Sequence, residues 1–266
     1  MINVVDRVST YPGRVKLTRA DGTVEYVTWE RADQPTVVGT PINKALFDSI
    51  KADIGLASDV TLYVSKSGSD SLGNGTSANP YLTIMKAVNS LPKNLNGFNA
   101  TINIAAGTYS EHVAVLNFFG GVVILSGTSG AAVSINSMNV AFGSYVQVEN
   151  VTLTVTSSND NNAINVTSAS LLGLTPIRCT AATTTGLIAN RNGFVHMGDL
   201  TVSNTTVNAI TSVNASRIWV YNVQGSNNTG VGLNSEGGSI IAYGIRSMTS
   251  TTASATSGGG RIYTGS

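Results

Sequence analysis

Carboxylates are the side chains in this chain that could catalyse cleavage of a glycosidic bond. Such cleavage usually needs two carboxyl groups flanking the bond, or a carboxylate cluster that holds calcium beside a basic residue. Between residues 101 and 246 the acidic residues are few: Glu111, Glu149, Asp160, Asp199 and Glu236. No Cys/His metal-ligand spacing, nucleophile motif or phosphate-binding loop accompanies them, so the sequence predicts no metal site and no cofactor.

Aromatic residues offer a second kind of chemistry, because their rings can stack on sugar rings or pack against a protein partner. The positions of His196 and Trp219 differ by 23 (219−196), and those of Tyr221 and Tyr243 differ by 22 (243−221). These four side chains would meet in a fold that returns to the same place at that interval. Their function therefore depends on the elements that carry them.

A repeated apolar pattern between Tyr145 and Arg246 indicates those elements. It reads apolar–x–apolar–x–x–apolar, and the intervals between the starts of its copies are 26, 23, 23 and 22 (172−146, 195−172, 218−195 and 240−218). The five copies are Val146-Val148-Val151, Leu172-Leu174-Ile177, Val195-Met197-Leu200, Ile218-Val220-Val223 and Ile240-Ala242-Ile245. A second position, eight residues upstream of the last four copies, comprises Ile164, Leu187, Ile210 and Gly232. Such self-similarity is typical of a repeat architecture.

The residue types in each copy favour strands over helices. Alternating apolar residues over so few positions suit a strand and are too short for a helix. Asn, Pro, Asp or Gly stands directly before the third apolar position, and these residue types are common at sharp bends. The sequence therefore predicts a mainly β fold, a right-handed parallel β-helix forming a single-stranded solenoid with rungs of about 22–26 residues. A leucine-rich repeat has a similar period, but its denser Leu and Asn pattern is missing.

Stacking the repeats predicts which residues share a column. One corner column would hold Asn150, Pro176, Asp199, Asn222 and Gly244, and the column beside it Glu149, Thr175, Gly198, Tyr221 and Tyr243. Because rungs lie about 4.8 Å apart, Asp199 would have no carboxylate above or below it. No catalytic residue is therefore assigned, and the chain is not expected to be an enzyme. The outward column would hold Gln147, Gly173, His196, Trp219 and Ile241.

That alignment makes one exposed surface the candidate contact site, formed by His196, Trp219, Tyr221 and Tyr243. Exposed aromatic residues on a polar coil mark either a contact between subunits or a platform for glycans, and the subunit contact is favoured.

Composition excludes several functions. The 266 residues are 42% apolar, which suffices for a core, but only 11% are charged and the net charge is +1. Without a basic run, neither nucleic acid nor an anionic membrane is an expected partner. No apolar stretch is long enough to cross a bilayer, and no signal peptide is recognisable, which predicts synthesis in a cytoplasm. Cys179 occupies an apolar slot and is expected to be buried.

Residues 1–57 lie outside the repeat and predict a small α+β segment. Val15–Leu17 and Val24–Val27 flank Asp21-Gly22, a strong hairpin signal, and Thr40-Pro41 is typical of a helix start. Three stretches, Arg7–Val15, Arg31–Pro35 and Gly39–Lys44, resemble the N-terminal segment of tail proteins from phages and prophages of Gram-positive bacteria. The resemblance implies attachment to other tail or baseplate proteins through residues that include Arg7, Tyr11, Pro12, Arg14, Pro41 and Asn43.

The sequence of residues 58–100 predicts the segment that leads into the solenoid. A polar loop (68–76), Asn79-Pro80-Tyr81, an amphipathic helix from Thr83 to Leu91 and Gly107–Glu111 follow one another. This order resembles the start of pectin-lyase-like β-helix domains in phage tail fibres and tailspikes, where the helix covers the N-terminal end of the coil. The coil itself is expected over 101–246, followed by a Gly/Ser/Thr-rich tail over 247–266.

The resemblance implies a structural tail fibre or tailspike-like component of a phage virion. It would be a homotrimer at the tail tip or baseplate, and a host cell-surface glycan is a candidate partner. Two alternatives stay open, a tailspike-type glycan depolymerase and a carbohydrate-binding β-helix module.

Overall fold

The computed structural model describes residues 14–18, 24–28, 55–155, 162–180, 185–245 and 247–265. The chain divides into two compact units, Met1–Ile54 and Gly55–Ser266.

The first unit contains the predicted hairpin. Strands β1 (Arg14–Thr18) and β2 (Val24–Thr28) pair in antiparallel register, with Lys16 opposite Tyr26. The predicted helix at Thr40-Pro41 lies outside the described residues. So do most of the candidate attachment residues, namely Arg7, Tyr11, Pro12, Pro41 and Asn43, whereas Arg14 begins β1.

The second unit is a parallel β-solenoid, which confirms the predicted fold class. The strands of each coil pair in parallel with strands of the neighbouring coils. The strands are β3 (Val60–Val64), β4 (Asn99–Ile104), β5 (Gly107–Leu116), β6 (Val122–Ala141), β7 (Tyr145–Val155), β8 (Asn162–Thr167), β9 (Ser170–Gly173), β10 (Ile177–Cys179), β11 (Thr185–Asn190), β12 (Phe194–Val202), β13 (Asn208–Val213), β14 (Arg217–Glu236), β15 (Ser239–Tyr243), β16 (Ser247–Ser257) and β17 (Arg261–Gly265).

The strands stack into three faces that enclose one core. The first face, which carries the candidate site, is defined by a column of paired residues: Leu62, Ile102, Leu125, Val148, Gly173, Met197, Val220, Ala242 and Thr264. The second face contains Leu153, Ile177 and Leu200, and the third contains Ile164, Leu187, Ile210 and Leu233. Inward side chains such as Val148, Met197 and Val220 are fully buried. Each apolar side chain buried in this way stabilises the fold by about 1.5–3 kcal/mol.

Cys179 lies in this core, as expected. Its side chain is fully buried, and burial raises the pKa of the thiol to about 12. The residue fills an apolar position of β10.

The predicted register of the second copy of the repeat was wrong. Val146 pairs with Leu171 and Val148 with Gly173, so the first interval is 25 (171−146) and Leu172 faces outward. The inward space at Gly173 is filled by neighbours, because an added Cβ would lie 3.0 Å from Ile177 and 3.2 Å from Met197. A one-residue slip moves side chains to the opposite face. In the stretch Leu171-Leu172-Gly173-Leu174, either register places a leucine inward, so the apolar pattern does not distinguish them.

The corner between the first and second faces varies in length, which overturns the predicted straight corner column. From the first-face column to the second-face column, the chain takes five steps at Val148–Leu153, four at Gly173–Ile177 and three at Met197–Leu200 (153−148, 177−173 and 200−197). The third apolar positions of the copies are therefore not equivalent. Val151 pairs with Ala131 and not with the second-face column, and Ile245 is 38% exposed rather than inward. Within the corners, Asn150, Asn222 and Gly244 adopt the left-handed conformation expected of these residue types (φ 51°, 48° and 59°).

Gly232 was likewise one residue away from the true column. Ile210 pairs with Leu233, which is buried. The turn after β13 takes four steps from Val213 to Arg217, whereas the equivalent turn takes three from Glu236 to Ser239 (217−213 and 239−236). The buried residue of this column, Leu233, therefore lies seven residues before Ile240 rather than eight (240−233).

The coil continues beyond Arg246, where the sequence predicted a tail. Strand β16 pairs with β14, for example Ser254 with Leu233, and β17 pairs with β15, for example Ile262 with Ile240. These strands carry few apolar residues, but ladder hydrogen bonds are made by the backbone, and Thr suits a pleated strand. The boundary at 246/247 was therefore wrong.

The helix predicted between Thr83 and Leu91 is present as α1 (Ile84–Ser90), with Thr83 at its N-cap and Leu91 at its C-cap. Its buried side, Ile84, Ala87 and Val88, joins the solenoid core. Two carboxylates hold the start of this helix, and neither role was predicted. Glu111, on β5, accepts hydrogen bonds from the backbone N–H groups of Ile84 (3.0 Å) and Met85 (2.9 Å).

Asp70 is the second of these carboxylates. It accepts hydrogen bonds from the N–H groups of Leu82 (2.8 Å) and Thr83 (3.1 Å) and from the Thr83 hydroxyl (2.6 Å). Burial by itself would raise the pKa of Asp70. The bonds from Thr83 and Leu82 and the nearby charge of Lys86 outweigh it, so the pKa is lowered from 3.8.

We expect the stabilisation by Asp70 to be lost in acid. Because the folded-state pKa is the lower one, the contribution is fully present above the unfolded value of 3.8 and disappears as the pH falls through the folded value. Urea unfolding at a series of pH values should therefore show a steeper loss of stability below about pH 4 in the unmodified protein than in Asp70→Asn. Asp199→Asn, an exposed substitution elsewhere, is the control. Equal slopes in all three proteins would contradict this role for Asp70.

Candidate functional site

The outward side of the first face carries most of the exposed aromatic rings. Backbone pairing places one outward column as Gln147, Leu172, His196, Trp219, Ile241 and Tyr263. His196 and Trp219 are therefore neighbours on adjacent strands, as the repeat predicts. Leu172 stands where Gly173 was expected, because of the register shift in β9.

The four predicted residues meet and are joined by a fifth ring. Trp219 makes edge-to-face contacts with His196 and with Phe194, each at 5.9 Å between ring centroids. His196 contacts Tyr221 at 5.7 Å, and Tyr221 stacks on Tyr243 at 5.5 Å with 15° between the ring planes. Phe194, His196, Trp219, Tyr221 and Tyr243 are called the aromatic cluster below.

Strand geometry explains why these rings touch. Side chains directly opposite each other on paired strands lie within reach of aromatic contact, and such pairs add about 0.5–1.5 kcal/mol beyond the area they bury. Three of the five side chains are exposed, since Trp219, Tyr221 and Tyr243 are 38%, 39% and 45% exposed. The cluster thus combines fixed ring positions with accessible ring surfaces.

Phe194 lines two cavities at one edge of the cluster. A cavity of about 320 Å³ is lined by Tyr145, Ser170, Leu171, Leu172, Phe194 and His196. Another of about 270 Å³ is lined by Asn192, Gly193, Phe194, Ala215 and Arg217. Each mixes an aromatic surface with polar groups, which is the usual lining of a small-molecule site.

Comparisons with protein-family models, curated proteins and solved structures found no match. The geometry of the site is therefore the guide to its chemistry.

Sequence reasoning missed several residues of this site, although the repeat contained a signal for them. Ser170, Phe194, Arg217, Ser239 and Arg261 each precede the first inward residue of their strand and form one column. The predicted columns include only positions inside the apolar pattern, and this column lies just before it.

The carboxylates considered for catalysis are dispersed. Glu111 is bonded to α1, as described above. Glu149 accepts a hydrogen bond from Gln147 (2.7 Å), and Glu236 accepts one from Asn234 (2.8 Å). Asp199 is paired with Tyr221 at the irregular part of β12, and Asp160 lies outside the described residues.

Within the described part of the chain, no group of three or more His, Cys, Asp and Glu side chains could hold a metal ion. None of the helices in those same residues is long and apolar enough to cross a membrane.

Proposed function

We propose that this protein is a structural tail fibre or tailspike-like component of a phage or phage-derived particle, attached at the tail tip or baseplate. The observation that carries the proposal is the capped parallel solenoid. Coils stacked through backbone hydrogen bonds make a stiff projecting body. Helix α1 covers apolar residues that would otherwise favour aggregation at the end of the coil. The protein would be made in the bacterial cytoplasm and reside in the virion.

Attachment is assigned to residues 1–57, with tail or baseplate proteins as partners. The resemblance of Arg7–Val15 and Gly39–Lys44 to the N-terminal segments of tail proteins supports this assignment. So does the composition, because residues 1–57 hold nearly half of the charged residues in about a fifth of the chain. Residues 58–100 then serve as the entry and cap of the projecting coil.

A homotrimer is the assembly proposed for this component. The chain mass is 27.5 kDa, so light scattering after size exclusion of the full chain should give about three times that value. The measurement should be repeated over a range of protein concentrations, since a real trimer keeps its mass on dilution whereas weak association does not. A monomeric mass at all concentrations would contradict the proposed trimer and favour an adaptor that docks alone onto another virion protein.

A carbohydrate-binding module is the second candidate function, favoured by the accessible rings and the cavities beside Phe194. Saturable glycan binding that is lost in Trp219→Ala would support it. Release of new reducing ends, or of unsaturated products, from a bacterial glycan would support the depolymerase alternative instead.

A further inference from the structure

The aromatic cluster has a positively charged edge. Arg217 and Arg261 stand in the same outward column as Phe194, with Ser239 between them. Both arginine side chains are exposed, and no salt bridge within the described residues neutralises either. A free guanidinium group can form two parallel hydrogen bonds with a carboxylate or phosphate.

Within the described part of the chain, the acidic groups near the first face form no salt bridge with Arg217 or Arg261. Asp199 is paired with Tyr221, on the side of the cluster opposite Phe194. Glu149 and Glu236 accept hydrogen bonds from Gln147 and Asn234. The edge at Arg217 is therefore complementary to an anionic ligand, while the neighbouring rings suit the apolar face of a sugar.

Two shallow cavities lined by Phe194 offer concave surface to a small ligand. Arg217 and Phe194 line the same cavity of about 270 Å³, together with the polar side chain of Asn192. The second cavity lined by Phe194, about 320 Å³, is bounded by the exposed ring of Tyr145 and by His196. Two cavities that share an aromatic ring in their lining suit successive units of a chain-like ligand.

Rung spacing sets the pattern of charge on such a ligand. Arg217 and Arg261 are two strands apart through Ser239, so their backbones are separated by about 10 Å. A disaccharide can bridge that distance, which places one anionic group on every second sugar ring. From Tyr145 on β7 to Arg261 on β17 the column spans five strand spacings, or about 24 Å.

We infer that the first face binds an acidic oligosaccharide lying along the solenoid axis. Sugar rings stack on Trp219 and Phe194, and anionic groups of alternate units bind Arg217 and Arg261. The inference rests on the proposed function, because it identifies the class of host-surface molecule that the tail component contacts. The anionic group is a carboxylate or a phosphate, since both match the guanidinium fork.

The test is titration calorimetry of the full chain with defined oligosaccharides. A hyaluronan decasaccharide carries a carboxylate on alternate rings, mannopentaose phosphate carries a phosphate, and chitohexaose is neutral. We expect an acidic oligosaccharide to bind at least about tenfold more tightly than chitohexaose, with an affinity that falls between about 50 mM and about 500 mM sodium chloride. Arg217→Ala and Trp219→Ala should each weaken binding about tenfold or more. The acidic probe whose affinity depends on salt and on Arg217 identifies the anionic group as a carboxylate or a phosphate.

Arg178→Ala is the matched control, because Arg178 is an exposed arginine on β10, in the second face. It should leave binding unchanged. Equal affinity for chitohexaose, or unchanged affinity in Arg217→Ala and Arg261→Ala, would overturn the inference, as would the absence of binding to any acidic probe. If Trp219→Ala instead changes the mass of the unliganded protein, the cluster is a subunit contact and the inference is wrong. A monomer that still binds through Arg217 would refute the trimer alone.

Discussion

Replacing Glu111 with alanine is expected to destabilise the protein by about 2–4 kcal/mol, because the N–H groups of Ile84 and Met85 lose their acceptor. A fully buried donor left without a partner costs about 1–3 kcal/mol, and these two bonds are partly buried. Helix α1 also presents Ile84, Ala87 and Val88 to the core, so its detachment would expose the apolar end of the coil. The protein should then bind a hydrophobic dye and aggregate at lower temperature.

Urea unfolding followed by circular dichroism measures this effect, with Glu149→Ala as the control. Glu149 accepts its hydrogen bond from the Gln147 side chain, and Gln147 can turn to water when the carboxylate is removed. In this control we expect the free energy of unfolding to fall by no more than about 0.5 kcal/mol. Glu111→Gln should fall between the two, since an amide retains one acceptor oxygen. Equal midpoints for Glu111→Ala and Glu149→Ala would show that α1 is held by its apolar contacts alone.

Replacing Gly225 with alanine is expected to cost about 3 kcal/mol or more through overpacking. The added Cβ would overlap the backbone carbonyl of Val202 on the neighbouring strand. That carbonyl accepts a hydrogen bond from the Asn228 side chain (3.0 Å), and the amide oxygen of Asn228 binds Thr205 at its N–H (3.2 Å) and hydroxyl (2.9 Å). Asn228 and Thr205 are buried, so displacing Val202 disturbs a network without water to replace it.

Gly198→Ala provides the matched control for Gly225→Ala. A Cβ at Gly198 meets no atom within 4 Å, and its backbone does not adopt a positive φ. The control should be neutral or slightly stabilising, because alanine lowers the conformational entropy of the unfolded chain. Thermal unfolding of the three proteins gives the comparison. A transition in Gly225→Ala at the temperature of the control would mean that the Val202 strand moves aside without loss.

Local patterns predicted the elements that depend on neighbouring residues in the chain. Asp21-Gly22 predicted the β1–β2 hairpin, and the apolar spacing of Ile84, Ala87 and Val88 predicted α1. A turn or a short helix is decided within a few residues, so its signal is contained in one stretch of sequence. The contact between His196 and Trp219 was also predictable, because β12 and β14 are separated by one regular interval of the repeat.

Where the length of the coil varies, the regular repeat interval predicted the wrong inward residues. The repeat predicted Leu172 to face inward and Gly232 to join the core, yet Gly173 and Leu233 occupy those positions. The corner lengths on either side of these strands differ by one residue, and nothing in the apolar pattern records that difference. Register is set by which backbone ladder closes with a filled core, so it depends on neighbours one coil away.

The sequence by itself determined the type of architecture, since a period of about 23 residues with strand-like alternation admits few folds. It also placed the aromatic rings of His196, Trp219, Tyr221 and Tyr243 on one surface. Tertiary structure alone decided that Glu111 caps a helix far upstream in the chain, that Phe194 and Arg217 complete the edge of the aromatic cluster, and that a Ser/Thr-rich segment continues the coil. These features arise from contacts between successive coils, where the partner of each residue is fixed by stacking and not by sequence proximity.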